Sequence, residues 1–170
     1  TYGNTGTYTD QPCTVIRRAI TKSMTQSLSD IPQLTHHHTF DATELLAYRK
    51  KLKATEGVCS EITIGDMVLF AVSRVLKECQ ALNAHLLPDL TLRVFSQVNL
   101  GVAMDTPRGL MVPTIFGADQ MSLVQISQTV KALAAQAREG SISPDLLQGA
   151  SFTVSNLGNL GVESFTPVIN

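Results

Sequence analysis

A chain of 170 residues with 44% hydrophobic and 16% charged residues is long enough to bury a core and too apolar to be disordered. Its formal net charge of −1 leaves no electrostatic footprint for nucleic acid or an anionic membrane, and no apolar run is long enough to span a bilayer. Cys13, Cys59 and Cys79 are widely spaced and form no C-x-x-C, which argues against a disulfide framework or zinc knuckle and for a reducing compartment. The expected location is the cytoplasm, or the mitochondrial matrix in a eukaryote.

The polar, glycine-rich start "TYGNTGTYTDQP" reads as an arm or the end of a linker, so residues 1–13 are assigned as an arm. The first residue, Thr1, is not methionine, as in a piece of a longer protein. From Thr14 the apolar residues Val15, Ile16, Ala19, Ile20, Met24 and Leu28 recur at helical spacing. Pro32 ends that helix and pushes Ile31 towards extended geometry. "QLTHHHTF" is a candidate strand. "DATELLAYRKKL" is a helix with Asp41 as N-cap and Glu44 completing a capping box.

A further capped helix follows Thr63. Its wide apolar stripe of Ile64, Met67, Val68, Ala71, Val72, Val75 and Cys79 predicts burial on most sides, with Cys79 packed. "LNAHL" predicts a short extended piece. "DLTLRVF", "VNLGVAM" and "GLMVPTI" predict three strands, with "DTPRG" as a turn. "SLVQISQTVKALAAQAREG" is an amphipathic helix with a serine cap, Gln125 at the third position and a terminal Gly140. "SPDLL" places Pro144 at a first helical position after Ser143, and "SFTVS" is a last strand. The fold class is α+β, helices packed on a mixed or mainly antiparallel sheet.

Three features carry possible chemistry. In a strand, His36 and His38 would share one face, but no third ligand is evident, so the histidines read as a solvated face and no metal site is expected. His85 stands alone and reads as structural. "TVSNLGNLG" offers the Ser155 hydroxyl, the Asn156 carboxamide, and Gly158 and Gly161 for close backbone approach. It is neither a G-x-S-x-G elbow nor a P-loop, and a plain strand-to-loop turn is its equal alternative.

In order, "RRAITKSMTQSLSDIPQLT", "DATELLAYRKKL", "ITIGDMVLFAVSRVLKECQALNA", "VNLGVAMDTPRGLMVPTI" and "SFTVSNLGNLGVESFTPVIN" resemble one family. It is the catalytic (core) domain of the dihydrolipoyl acyltransferase component of 2-oxo acid dehydrogenase complexes, the pyruvate dehydrogenase complex among them. The resemblance covers nearly everything after the arm and makes 14–170 a partial catalytic domain. It implies a chloramphenicol acetyltransferase-like fold, a homotrimer with active sites between subunits, and trimers assembled into a larger hollow core. It implies acyl transfer between the dihydrolipoyl arm of a separate lipoyl domain and coenzyme A, with the decarboxylase and dihydrolipoyl dehydrogenase components as partners.

Position by position, the resemblance makes Ser155 the oxyanion-stabilising serine. Asn156 and Asn159 fall in the same coenzyme A-contacting turn. Arg49, Thr63 and Asp105 match further coenzyme A-contacting positions, and an arginine suits the cofactor's phosphates, although Arg49 reads equally as a solvated helix charge. The family's general base is a histidine in H-x-x-x-D-G, a motif absent from these 170 residues. The expectation is therefore a fragment truncated at its C-terminus, nearly inactive alone. The alternatives are a non-catalytic structural or binding subunit of the core, or a free-standing relative using one of its own histidines.

Overall fold

The computed structural model describes residues 6–107 and 109–169; Thr1–Thr5 of the arm, Arg108 of the "DTPRG" turn and Asn170 lie outside the described residues. The described part divides into two compact units, one up to residue 39 together with the segment from 164 on, and one of residues 40–163.

In the first unit, helix α1 spans Val15–Asp30, and Thr14 caps it by accepting the Arg17 N–H at 3.2 Å. Ile31 is extended (φ −112°, ψ 112°), as a residue preceding proline must be. The strand predicted over 33–40 does not form. A strand needs a neighbouring backbone for its N–H and C=O groups, and this segment meets the 164–169 segment through side chains instead. The Thr35 and Thr166 hydroxyls lie 3.4 Å apart, and the buried Ser27 hydroxyl donates to the Ile169 carbonyl. His36, His37 and His38 are exposed, and among the described residues no cluster of three metal-ligating side chains occurs.

The second unit begins with α2 (Thr43–Lys53) and a 3₁₀ turn (Gly57–Glu61), followed by α3 (Ile64–Glu78). The predicted capping box of Asp41 and Glu44 does not form. Ala42 is the cap, while Asp41 Oδ1 accepts from the Thr43 hydroxyl (2.6 Å) and the Thr43 N–H (2.9 Å). Those bonds, the hydroxyl's first, hold the Asp41 carboxyl below its ordinary range. An aspartate bonding two residues on favours a turn over the first helical turn, so the helix starts later.

Two short hairpins and one mixed sheet follow. Strands β1 (Ala84–Leu86) and β2 (Leu92–Val94) pair antiparallel. The predicted strand "VNLGVAM" is divided into β3 (Leu100–Val102) and β4 (Met104–Thr106). "GLMVPTI" is divided into β5 (Gly109–Met111) and β6 (Thr114–Ile115), where Pro113 has no N–H to continue a ladder. β4 pairs with β5. β3 runs antiparallel to β6 and parallel to β7 (Phe152–Val154), giving the order β6-β3-β7. A parallel neighbour demands a crossover, and the chain between β3 and β7 contains α4 (Leu123–Glu139). Ser122 and Gln125 form the expected capping box on α4, and Gly140 closes it at φ 73°. "SPDLL" forms a single 3₁₀ turn over Pro144–Leu147.

The core joins α3 and α4 to this sheet through Leu69, Leu76, Val98, Leu100, Ile115, Ala118, Ile126 and Leu133. Each large aliphatic buried there stabilises by roughly 1.5–3 kcal/mol. The prediction that α3 is buried on most sides is corrected. Ile64, Val68 and Val75 are exposed, and the buried side runs through Asp66, Met67, Leu69, Ser73 and Leu76. Cys79 is likewise not packed: it lies one residue past the helix as its C-cap and is exposed.

Polar groups finish the core. Arg74 lies over the Phe70 ring (4.4 Å) and donates to the backbone carbonyls of Ala118, Asp119 and Met121, clamping the 3₁₀ turn Ala118–Gln120 against α3. The buried Asp119 carboxylate accepts from the Val98 N–H (3.0 Å), the Gln120 amide (2.6 Å) and the Lys77 ammonium (3.2 Å). Burial works against its charge, but these bonds outweigh that and hold its carboxyl below the ordinary value.

Candidate active site

Ser155 follows directly on β7 and is exposed; among the described residues nothing hydrogen-bonds its hydroxyl. Its position follows from the β3–β7 ladder, in which Leu100, Gly101 and Val102 face Phe152, Thr153 and Val154. One residue further, the Ala103 N–H reaches the Val154 carbonyl at 2.9 Å. Asp105 lies two residues beyond Ala103 on β4 and is exposed. The parallel ladder carries Ser155 to the end of β3, while Asp105 belongs to the separate β4–β5 hairpin, opposite Leu110.

The loop after Ser155 is built on itself. Asn156 Oδ1 accepts the Gly158 N–H at 2.8 Å, which leaves the amide nitrogen of Asn156 as a donor. Asn159 is exposed in the 3₁₀ turn Gly158–Leu160, and Gly161 closes that turn in the left-handed region at φ 73°.

Thr63 is the exposed N-cap of α3. Its Oγ1 accepts the Asp66 N–H (3.1 Å), and its own N–H donates to Asp66 Oδ2 (2.8 Å). The same carboxylate oxygen accepts the buried Ser127 hydroxyl of α4 at 2.8 Å. With Oγ1 engaged as acceptor, the Thr63 hydroxyl hydrogen is left to donate outward, at a helix N-terminus whose dipole favours anions. Arg49 lies half-buried on α2, and its Nη1 is buried without a hydrogen-bond partner among the described residues. A buried guanidinium nitrogen without an acceptor costs about 1–3 kcal/mol, a cost that a phosphate oxygen would remove.

No hydrogen bond links any two of Arg49, Thr63, Asp105, Ser155, Asn156 and Asn159 among the described residues. They are separate groups on one framework, all exposed except the half-buried Arg49. His85 has the structural role expected of it: Nε2 lies 2.9 Å from the Ala150 carbonyl, and the ring meets Phe95 edge-on at 4.7 Å. The supporting residues Asp66, Ser127, Asn83, Asn99 and Ser151 escaped sequence reasoning. Only Asp66 had a readable signal, as the third residue after a Thr cap.

The fold is shared with solved acetyltransferase cores. The chain belongs to the family of 2-oxoacid dehydrogenases acyltransferase (catalytic domain), whose model matches residues 5–170. Its sequence is 39% identical over 160 residues to the dihydrolipoyllysine-residue acetyltransferase component of the pyruvate dehydrogenase complex of Bacillus subtilis, covering 91% of this chain and 36% of that protein. It is 35% identical over 167 residues to the same component from Azotobacter vinelandii, covering 97% of this chain and 26% of that protein. The chain thus spans about a third of the length of the curated relatives it matches.

Among solved structures it superposes on the Azotobacter vinelandii dihydrolipoamide acetyltransferase with a TM-score of 0.90 at 33% identity, covering 99% of this chain and 70% of that one. That structure concerned the roles of a serine, a histidine and an asparagine in the enzyme's catalytic mechanism. The cubic core of the pyruvate dehydrogenase multienzyme complex matches with a TM-score of 0.89 at 33% identity, covering 98% of this chain and 70% of that one. The α+β, chloramphenicol acetyltransferase-like expectation stands.

Proposed function

We propose that this chain carries the oxyanion-stabilising and coenzyme A-binding side of an acyltransferase site in a 2-oxo acid dehydrogenase complex. The acyl group, taken as acetyl from the named relatives, moves between a dihydrolipoyl arm and coenzyme A. The observation that carries this reading is the exposed, unpartnered Ser155 hydroxyl at the end of β7, beside a self-braced asparagine loop.

Coenzyme A supplies the thiol, with an ordinary pKa of about 8.5, so only modest base assistance is needed near neutral pH. As its sulfur bonds to the thioester carbon, the carbonyl oxygen gains negative charge, and the Ser155 O–H donates to it. Collapse then breaks the bond to the dihydrolipoyl sulfur, which leaves with a proton. Arg49 holds a phosphate through its unpartnered Nη1; Thr63, Asp105, Asn156 and Asn159 orient the rest of the cofactor. The proton acceptor in this reading is a histidine outside these 170 residues, which contain no H-x-x-x-D-G. We place the protein in a homotrimer of a larger core, served by a lipoyl domain and by the decarboxylase and dihydrolipoyl dehydrogenase components. The compartment is reducing, cytoplasm or mitochondrial matrix.

The test is Ser155→Ala in the full-length protein, assayed for acetyl transfer to coenzyme A. Loss of an oxyanion donor lowers kcat by about 100- to 1000-fold. An unchanged kcat would remove Ser155 from the chemistry.

A further inference from the structure

Four residues before Ser155, Ser151 is 5% exposed and makes three bonds that tie the start of β7 to two other elements. Its N–H donates to the Asn99 carbonyl at 2.8 Å, and its Oγ accepts the Asn99 N–H at 3.0 Å. Its hydroxyl hydrogen donates to Asn83 Oδ1 at 2.5 Å, with the Asn99 carbonyl further off at 3.2 Å. Asn83 is itself 2% exposed and held rigid, because its amide nitrogen donates to the carbonyls of Phe95 (2.9 Å) and Gln97 (3.1 Å). Asn99 Oδ1 is engaged by the Gly117 N–H at 3.0 Å. A buried polar cluster therefore joins the β1–β2 hairpin, the entry to β3 and the entry to β7.

We infer that Ser151 is a positioning residue for Ser155: with Asn83 and Asn99 it fixes the register of β7 on β3, and so the place where the Ser155 hydroxyl stands. A one-residue slip in a strand turns every side chain to the opposite face, and a misplacement of about 1 Å at a reacting centre costs roughly 100-fold. Gly101 holds the middle of the same ladder by steric closeness to Thr153, so register is set by bonds at one end and by contact in the middle. The inference rests on the reading of Ser155 as oxyanion donor.

The experiment compares Ser151→Ala, Ser155→Ala and the double variant in the full-length protein, assayed for acetyl transfer between dihydrolipoamide and coenzyme A. Ser151→Ala is expected to lower kcat about tenfold with the coenzyme A KM unchanged, and Ser151→Thr, which restores a hydroxyl, to recover most of it. In the Ser155→Ala background, Ser151→Ala is expected to have no further effect, because the group it positions is gone. A merely structural role would lower kcat by the same factor in both backgrounds, and that result overturns the inference. So does full activity of Ser151→Ala. Ser151→Cys, nearly the same shape with a weak donor, is assayed beside it, so that a folding failure of the alanine variant leaves a decision. Wild-type kcat in Ser155→Ala alone would instead overturn the reading of Ser155.

Discussion

A Cβ on Gly101 would stand 2.8 Å from the Thr153 hydroxyl, closer than real side chains approach. The β3 backbone lies so near β7 that only hydrogen fits between them, with Ala150 Cβ and Val112 Cγ1 each 3.1 Å from the same point. None of these is the loose end of a long side chain. Gly101→Ala is expected to destabilise by about 1–3 kcal/mol, the usual cost of overpacking, measured by urea unfolding. Stability equal to wild type would show that the strands part without cost.

Arg49 allows stability and binding to be separated. Arg49→Met removes a buried donor that has no partner among the described residues, so the ligand-free Tm is expected to stay level or rise by a few degrees. The wild type is expected to gain about 2.7 kcal/mol at a coenzyme A concentration of one hundred times Kd, and the variant to lose most of that gain. Thermal scans with and without coenzyme A decide it; equal ligand shifts would leave Arg49 a plain surface charge.

Thr63 and Ser122 cap α3 and α4 in the same way, each in a reciprocal box with the residue three positions on. Thr63→Ala and Ser122→Ala should therefore each cost about 0.5–2 kcal/mol of stability. Only Thr63→Ala is expected to weaken coenzyme A binding, as read by calorimetry on the two variants. Equal affinity in both would confine Thr63 to capping.

The buried Asp119 carboxyl makes part of the stability dependent on pH. Its folded-state pKa lies below the ordinary aspartate value of 3.8, so the unfolded chain binds its proton more readily. The contribution is complete above that value and is lost as pH falls through the folded pKa. Asp119→Asn, compared with wild type by denaturant unfolding, is expected to cost about 1–3 kcal/mol near neutrality and clearly less at about pH 3. A difference independent of pH would mean that the ionised form does not hold the Val98 N–H and Lys77.

The sequence alone determined what depends on neighbours in the chain. The starts of α3 and α4 were legible because a cap joins residues three apart, that of α1 because apolar residues recur at helical spacing from Thr14 on, and its end because Pro32 acts on Ile31. The motifs around Ser155 were legible as a family pattern for the same reason, being contiguous. Position 41 misled because Asp41 had a closer partner in Thr43 than the helix it was expected to cap.

Tertiary structure decided the rest. The histidine segment has strand-like residues but no ladder, since a strand exists only where another backbone meets it. The apolar stripe of α3 gives no sign of which part the core takes; packing on β3 and α4 buries Leu69 and Leu76 and leaves Val75 outside. Asn83, Asn99 and Ser151 look like ordinary loop residues in one dimension. They become one cluster only because β7 lies parallel to β3, a pairing between segments about fifty residues apart that no local pattern encodes.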